Sequence, residues 1–186
     1  MTELHFDFTK SATRAAICET LEAALRGAGG TAQVDASLAA AGVPDRHHRH
    51  MSDVMETIDG LARVSDKVRD DMRAIYRILN DAEAKVHGVA ADQTHFHEVG
   101  EGRGIANALR VCLMIEALAP DRITATCVQV GSGTIRCTHG LLDVPAPATA
   151  AIIELGIPVC EQRLEGELCT PTSAAMIYHF VDDYVI

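Results

Sequence analysis

Residues 65–88, which read SDKVRDDMRAIYRILNDAEAKVHG, carry the strongest structural signal in the chain. Apolar side chains recur there every three or four positions, which is the spacing of one face of a helix. Ser65 is suited to capping the first turn, and Gly88 is suited to ending the last. The stretch predicts a long amphipathic helix whose core face is Val68, Met72, Ile75, Leu79, Ala82 and Val86.

Shorter elements of both kinds are predicted on either side of this helix. Strands are predicted at Leu4–Phe8, Thr31–Val34 and Ile123–Val130, from alternation and β-branched content. Helices are predicted over Ala15–Leu25, Ala36–Ala41, Ser52–Leu61 with Ser52 as the cap, and Ile105–Leu118, and from Pro147 and Pro171 onward.

This mixture predicts an α/β (or α+β) fold, in which a small mixed sheet packs with several helices. No internal repeat or composition shift marks a linker, so the sequence predicts one domain over residues 1–186. Apolar residues make up 48% of the chain, which is typical of a globular protein.

Charge and cysteine pattern narrow the classes of function. The formal net charge of −10 disfavours nucleic acid and anionic membranes as partners. The N-terminus has no basic stretch followed by an apolar one, and the longest apolar stretch is interrupted by Arg110 and Glu116. Six scattered cysteines without a C-x-x-C pair predict reduced thiols. We therefore expect a cytoplasmic protein without a signal peptide or membrane span.

The first candidate for chemistry is His95-Phe96-His97-Glu98. In an extended segment, residues two apart face the same way, roughly 6–7 Å apart. Two imidazoles on one face beside a carboxylate can contribute to a site for nickel or zinc. The alternative interpretation is a pair of unrelated surface histidines.

Two further histidine positions add to this candidate. His48 and His50 lie in a run of histidines and arginines, where a metal site and a solvated polar loop are equally consistent with the residues. His139 follows a predicted strand, a position from which a side chain can be aimed into a cleft. A structural role is the alternative for this single histidine.

The last candidate is Cys169-Thr170-Pro171-Thr172-Ser173. Thr170 can cap a helix that Pro171 begins, and the free N–H groups with the Thr172 and Ser173 hydroxyls would form an anion site. An ordinary helix cap is the alternative. Cys169 is interpreted as a buried, unreactive thiol. The sequence contains no standard nucleotide loop and no serine-hydrolase elbow.

Taken in order, these segments resemble one protein family. The segments are Ala82–Gly88, His95–Gly100, Val130–Thr134, His139–Leu142, Val144–Thr149 and Glu167–Thr172, with a further similarity at His48–His50 and Asp53. They look like the N-terminal half of the LarC family of nickel-insertion proteins. That family inserts nickel into a pyridinium bisthiocarboxylate mononucleotide in a CTP-dependent step, which forms the nickel-pincer cofactor.

The resemblance implies roles for the candidate residues. Nickel ligands would be His95, His97, Glu98 and His139, joined by His48 and His50. Glu98 or His97 would serve as the base in a cyclometallase of the lyase class, and Thr170, Thr172 and Ser173 would hold the precursor. The C-terminal half associated with CTP is not matched, so we expect either that a separate CTP-binding partner chain supplies it or that this protein does not use CTP.

Departures from the family pattern support other interpretations. The Gly/Ser-rich loop after the first strand is replaced by Thr9–Ala15, and two family aspartates are matched by Arg103 and Asn107. Arg103 would repel a nearby divalent cation. A non-catalytic metal- or ligand-binding relative, or a scaffold subunit without insertion activity, is therefore the alternative. An exposed apolar sheet edge would favour a homo-oligomer, and the sequence places no such edge.

Overall fold

The computed structural model describes residues 2–28, 30–45, 50–94, 96, 102–137 and 140–185. It divides into two compact units, Leu21–Ala119 and the combination of Met1–Thr20 with Pro120–Ile186. The prediction that residues 1–186 form a single domain stays a prediction. Among the described residues, no helix has the length and apolar character needed to cross a membrane.

Along the described chain, one strand is followed by five α-helices and then four strands, after which helices and short strands alternate. The helices are α1 (Arg14–Ala28), α2 (Thr31–Ala41), α3 (Met51–Gly60), α4 (Asp66–His87), α5 (Gly102–Leu118), α6 (Pro147–Ile153) and α7 (Pro171–Phe180). The strands are β1 (Glu3–Phe6), β2 (Arg122–Ala125), β3 (Gly131–Ser132), β4 (Thr134–Cys137), β5 (Gly140–Asp143), β6 (Gly166–Glu167) and β7 (Asp183–Tyr184). The predicted mixture of helices and small sheets is confirmed.

The unit that contains both ends of the chain is built on a parallel sheet. Its strand order is β1-β2-β7, and both neighbouring pairs are parallel. Two antiparallel pairs, β3 with β6 and β4 with β5, are separate from that sheet. In β1 the buried side chains are Leu4 and Phe6, and the Phe6 ring stacks on Phe8 with centroids 5.1 Å apart.

The unit of residues 21–119 is helical and contains the long helix predicted from residues 65–88. The Ser65 hydroxyl caps α4 by accepting from the Val68 N–H at 3.1 Å, and Gly88 ends it with φ +64°. The predicted core face is confirmed at Val68, Met72, Ile75, Leu79 and Ala82, all of which are buried. Val86 was wrongly assigned to that face, since it is 39% exposed. Periodicity gives the direction of a side chain, whereas burial depends on what covers it.

Several local predictions are corrected by the structure. Thr31–Val34 is not a strand but the first turn of α2, because the alanine-rich residues that follow propagate a helix back to Thr31. His50 rather than Ser52 is the N-cap of α3. The predicted strand Ile123–Val130 ends at Ala125, after which only Val128 forms an isolated bridge, with Val159.

The prediction of reduced thiols throughout is also wrong. Cys127 and Cys160 form a disulfide with their Cα atoms 5.1 Å apart. They are 33 residues apart in sequence, and the chain brings them together through the parallel bridge between Val128 and Val159. A spacing pattern does not show this, because the pairing depends on how two distant loops meet.

Candidate functional site

Thr94, which directly precedes the His95–Gly100 segment, is a buried anchor against α4. Thr94 is 3% exposed, and its hydroxyl donates to the Ala91 carbonyl at 2.7 Å and contacts the side-chain oxygen of Asn80. The Asn80 amide donates to the same carbonyl at 2.9 Å. Because buried polar groups are costly unless paired, this network holds Thr94 at one position beside α4.

Phe96 provides a second anchor two residues further along. Its ring is 2% exposed and meets the Tyr76 ring of α4 edge-to-face, with centroids 6.2 Å apart. Thr94 and Phe96 are thus both buried, as expected of alternate residues in an extended segment. The predicted ligands His95, His97 and Glu98 lie outside the described residues, as do His48 and His139.

Arg103 and Asn107 lie one turn apart on α5, outside its buried face. Arg103 is exposed and Asn107 is partly exposed, whereas Ile105 and Leu109 are completely buried. Side chains four residues apart on a helix are neighbours on its surface. The two positions that the resemblance matches to family aspartates are therefore adjacent, and they carry a guanidinium and an amide.

His50 and Asp53 form the start of α3. The His50 N–H donates to the Asp53 carboxylate at 3.2 Å, and the Asp53 N–H donates to the His50 carbonyl at 3.1 Å. This reciprocal arrangement gives hydrogen-bond acceptors to backbone N–H groups that the start of a helix would otherwise leave unpaired. Asp53 therefore orders the backbone at His50, and the metal-binding role predicted for His50 stays a prediction.

The start of α7 is a closed cap of the predicted kind. The Thr170 hydroxyl accepts from the Ser173 N–H at 3.3 Å, and the Ser173 hydroxyl accepts from the Thr170 N–H at 2.8 Å. Ser173 also donates to the Thr170 carbonyl at 3.0 Å and is completely buried. Its hydroxyl is thus engaged inside the cap, while Thr170 and Thr172 are partly exposed.

Cys169 lies immediately under this cap. Its sulfur is 3.7 Å from the Ser173 hydroxyl, and the residue is completely buried. Burial raises the pKa of the Cys169 thiol to about 11, and the contact with Ser173 lowers it by a smaller amount. The thiol therefore stays protonated at neutral pH, which matches the interpretation of Cys169 as unreactive.

In the loop between β1 and α1, backbone N–H groups donate hydrogen bonds to other groups of the protein. The Asp7 carboxylate accepts from the Thr9 hydroxyl at 2.6 Å and from the Thr9 N–H at 3.0 Å, and these bonds lower the pKa of Asp7. The Ala12 N–H donates to the Leu168 carbonyl at 2.7 Å. At least two loop amides are therefore committed to protein partners, and the loop is tied to the residues that lead into the Thr170 cap.

Gln129 is a positioning residue that the sequence analysis did not identify. It is 1% exposed, its amide donates to the Gln162 carbonyl at 2.8 Å, and its oxygen accepts from the N–H groups of Gly131 (3.0 Å) and Leu164 (3.3 Å). It thereby holds the segment before β6. A polar residue between two valines was the available signal, but its partners Gln162 and Leu164 are more than thirty residues away.

The described residues do not by themselves form a metal centre. Among those residues, no group of three or more histidines, cysteines, aspartates or glutamates is placed to hold a metal ion. The residues predicted as the core of a nickel site are all outside it. The sites with described geometry are the Thr94–Phe96 anchor and the α7 cap.

Comparison with known proteins identifies the family. A family model described as nickel insertion protein matches residues 5–185. Curated proteins named pyridinium-3,5-bisthiocarboxylic acid mononucleotide nickel insertion protein match it from Staphylococcus epidermidis (36% identity over 74% of this chain), Desulfitobacterium hafniense and Geobacillus kaustophilus (each 37% over 74%).

The chain spans about a third of the length of these relatives, since the matches cover 34%, 34% and 33% of them respectively. No solved structure matches the chain significantly. The family match over residues 5–185 confirms the resemblance found from the ordered motifs. The chain belongs to the nickel insertion protein family.

Proposed function

We propose that this chain takes part in inserting nickel into pyridinium-3,5-bisthiocarboxylic acid mononucleotide. The observation that carries the proposal is the family match over residues 5–185, which includes every ordered motif. The names of the curated relatives supply the substrate. Nickel is here a substrate of the reaction, and the organic mononucleotide is its acceptor.

In this proposal, His95, His97 and Glu98 bind nickel. Imidazole and carboxylate are suitable ligands for nickel, and Glu98 or His97 would take the ring proton released on metallation. The burial of both Thr94 and Phe96 supports the extended segment on which the pairing of the two histidines depends. His139, His48 and His50 are proposed from sequence as further ligands.

The start of α7 is proposed to hold the phosphate or carboxylate of the precursor. A helix N-terminus attracts anions through its partial positive charge and its free N–H groups. Pro171 has no N–H and Ser173 donates its own to Thr170, so the Thr172 N–H and hydroxyl are the groups proposed to meet the ligand. Thr170 and Ser173 would keep that turn in shape.

CTP is proposed to enter through a separate CTP-binding chain. The curated relatives extend well beyond the third of their length that this chain matches. Mixing the two chains with Ni²⁺, CTP and the precursor is the test, and formation of the metallated cofactor is the expected result. No product with any CTP-binding family chain would contradict it.

Nickel binding is best tested by titration calorimetry at a pH where imidazole is neutral. The wild type is expected to bind with micromolar or tighter affinity, roughly −8 kcal/mol, and His95→Ala/His97→Ala is expected to lose it. His87→Ala/His179→Ala removes two histidines elsewhere and serves as the matched control. Binding that survives the first double change, or is lost in the second, would contradict the proposed ligands.

A non-catalytic nickel- or ligand-binding relative is the second candidate. The adjacent Arg103 and Asn107 favour it, because they replace two carboxylates on one face of α5. The Thr9 and Ala12 amides favour this candidate as well, because each already donates a hydrogen bond within the protein and is not free for an anionic ligand. This candidate predicts nickel binding without cofactor formation, whereas a scaffold subunit predicts neither.

A further inference from the structure

The disulfide Cys127–Cys160 joins two segments that run side by side. The Val128 N–H donates to the Pro158 carbonyl at 2.8 Å, and the Cys160 N–H donates to the Val128 carbonyl at 3.1 Å. Residues 158–168, called here the cap-leading segment, continue from this point to the residue before Cys169. The covalent link thus lies at one end of the segment, and the α7 cap lies at the other.

Hydrogen bonds to residues 129–132 hold the rest of the cap-leading segment, including the β3–β6 pair and the bond from the Ser132 hydroxyl to the Leu164 carbonyl at 2.8 Å. Gln129 bonds to the backbone of Gln162 and Leu164, and the Leu168 N–H donates to the Val130 carbonyl at 3.3 Å. The Leu168 carbonyl in turn accepts from the Ala12 N–H at 2.7 Å. Every one of these anchors follows Cys127 by at most five residues or lies in the loop after β1.

We propose that Cys127–Cys160 is a thiol–disulfide exchange site, taking small thiols or dithiols, whose redox state controls the order of the cap-leading segment. Cys127 is partly exposed, whereas Cys160 is 9% exposed, so an attacking thiolate reaches Cys127 first. Exchange rates depend on such access. Of the free cysteines whose side chains are described, Cys18, Cys112 and Cys169 are all buried.

The reaction balances with a dithiol as reductant. The bond between the two protein sulfurs breaks, and the dithiol supplies two electrons and two protons to form two protein thiols. The dithiol closes to its cyclic disulfide, and a mixed disulfide at Cys127 is the intermediate. Oxidised glutathione reverses the reaction and releases two molecules of glutathione.

Reduction leaves the cap-leading segment without its covalent link and held only by hydrogen bonds, which include those of Val128, Gln129 and the β3–β6 pair. Local opening then costs less, because the disulfide no longer limits how far residues 158–160 can move from residues 127–128. The consequence for precursor binding at Thr172 rests on the proposed function. The exchange site and the change in order are independent of the proposed function, and both are measured without nickel or precursor.

The test combines peptide mapping with hydrogen exchange on the full chain. After equilibration with oxidised glutathione, digestion is expected to yield Cys127 and Cys160 in one linked peptide pair. Addition of dithiothreitol is expected to speed amide exchange at Leu164 and Leu168 by about tenfold or more, with α4 amides unchanged. Unchanged α4 exchange shows that the unit of residues 21–119 remains folded, and unchanged exchange at Ile123 and Thr124 of β2 is expected to show the same for the unit that contains the disulfide.

Two variants complete the experiment. Cys127→Ser/Cys160→Ser is expected to show the fast exchange with or without dithiothreitol, and Cys112→Ala is expected to respond like the wild type. Recovery of the two cysteines as separate thiols after oxidation would overturn the proposal. Equal exchange at Leu164 and Leu168 in the oxidised and reduced protein would overturn it as well.

Discussion

At the start of α7, two threonines of the same chemistry have different surroundings. The Thr170 hydroxyl accepts from the Ser173 N–H, whereas the Thr172 hydroxyl takes no part in this cap. Thr170→Ala is expected to lower the free energy of unfolding by about 1 kcal/mol, as for other lost caps. Thr172→Ala is the matched control and is expected to change it by less than about 0.5 kcal/mol.

Urea unfolding followed by circular dichroism measures both changes. If the proposed function is right, Thr172→Ala also weakens precursor binding although it leaves stability intact. Equal stability of the two variants would show that the cap contributes nothing to the fold.

Cys169 predicts a pH dependence of stability. Burial raises the pKa of its thiol from 9.0 to about 11, so the folded chain keeps this proton through a range where the unfolded chain has lost it. The contribution is about 2–3 kcal/mol, is complete below pH 9 and is lost as the pH rises to 11. Urea unfolding at several pH values is expected to show a steeper decline in wild type than in Cys169→Ala, and equal slopes would contradict this.

At the scale of elements, the pairing of β3 with β6 depends on glycine. Gly131 has φ +88°, and a Cβ there would lie 1.8 Å from the Gly166 carbonyl oxygen. Neither backbone can move away easily, because Gly131 pairs with Glu167 and Ser132 pairs with Gly166. A side chain at this position is therefore excluded by contact as well as by backbone strain.

Gly131→Ala is expected to cost about 3 kcal/mol or more in the free energy of unfolding. Gly133→Ala is the control, since Gly133 has φ +98° but open space where the Cβ would be. It is expected to cost only the strain, about 1–2 kcal/mol. Denaturant unfolding of both variants separates the two effects, and equal losses would mean that the close approach to β6 is unimportant.

The exposed face of α5 is a second element with a testable role. Arg103→Asp/Asn107→Asp places two carboxylates one turn apart, where the family pattern has them. Nickel affinity is expected to rise about tenfold, because a cation is removed and two anionic oxygen ligands are added. Arg63→Asp is the control, since Arg63 is exposed and the change alters the surface charge in the same unit. A double change of Arg77 and Asn80 on α4 would not serve, because Asn80 is buried. An equal gain in both variants would indicate general electrostatics only.

At the scale of the whole molecule, the protein consists of two compact units with different contents. The unit of residues 21–119 contains Thr94 and Phe96, which are anchored against α4. The other unit contains the parallel sheet, the disulfide and the α7 cap. Family membership covers both units. Each unit therefore contributes at least one of the sequence motifs on which the proposed function depends.

Sequence alone determined the features that depend on neighbours in the chain. The α4 helix, its Ser65 cap and the Thr170 cap of α7 follow from residues within one or two turns, and they are confirmed. The family, too, follows from the order of motifs. Local hydrogen bonds and apolar periodicity act over a few residues, so they can be identified without a fold.

Only the tertiary structure decided the features that join distant segments. The Cys127–Cys160 link, the Gln129 anchors and the contact of Gly131 with Gly166 connect residues at least 33 positions apart. The burial of Phe96 against Tyr76 belongs to the same class. Such contacts form because packing brings these segments together, and no spacing within either segment specifies its partner.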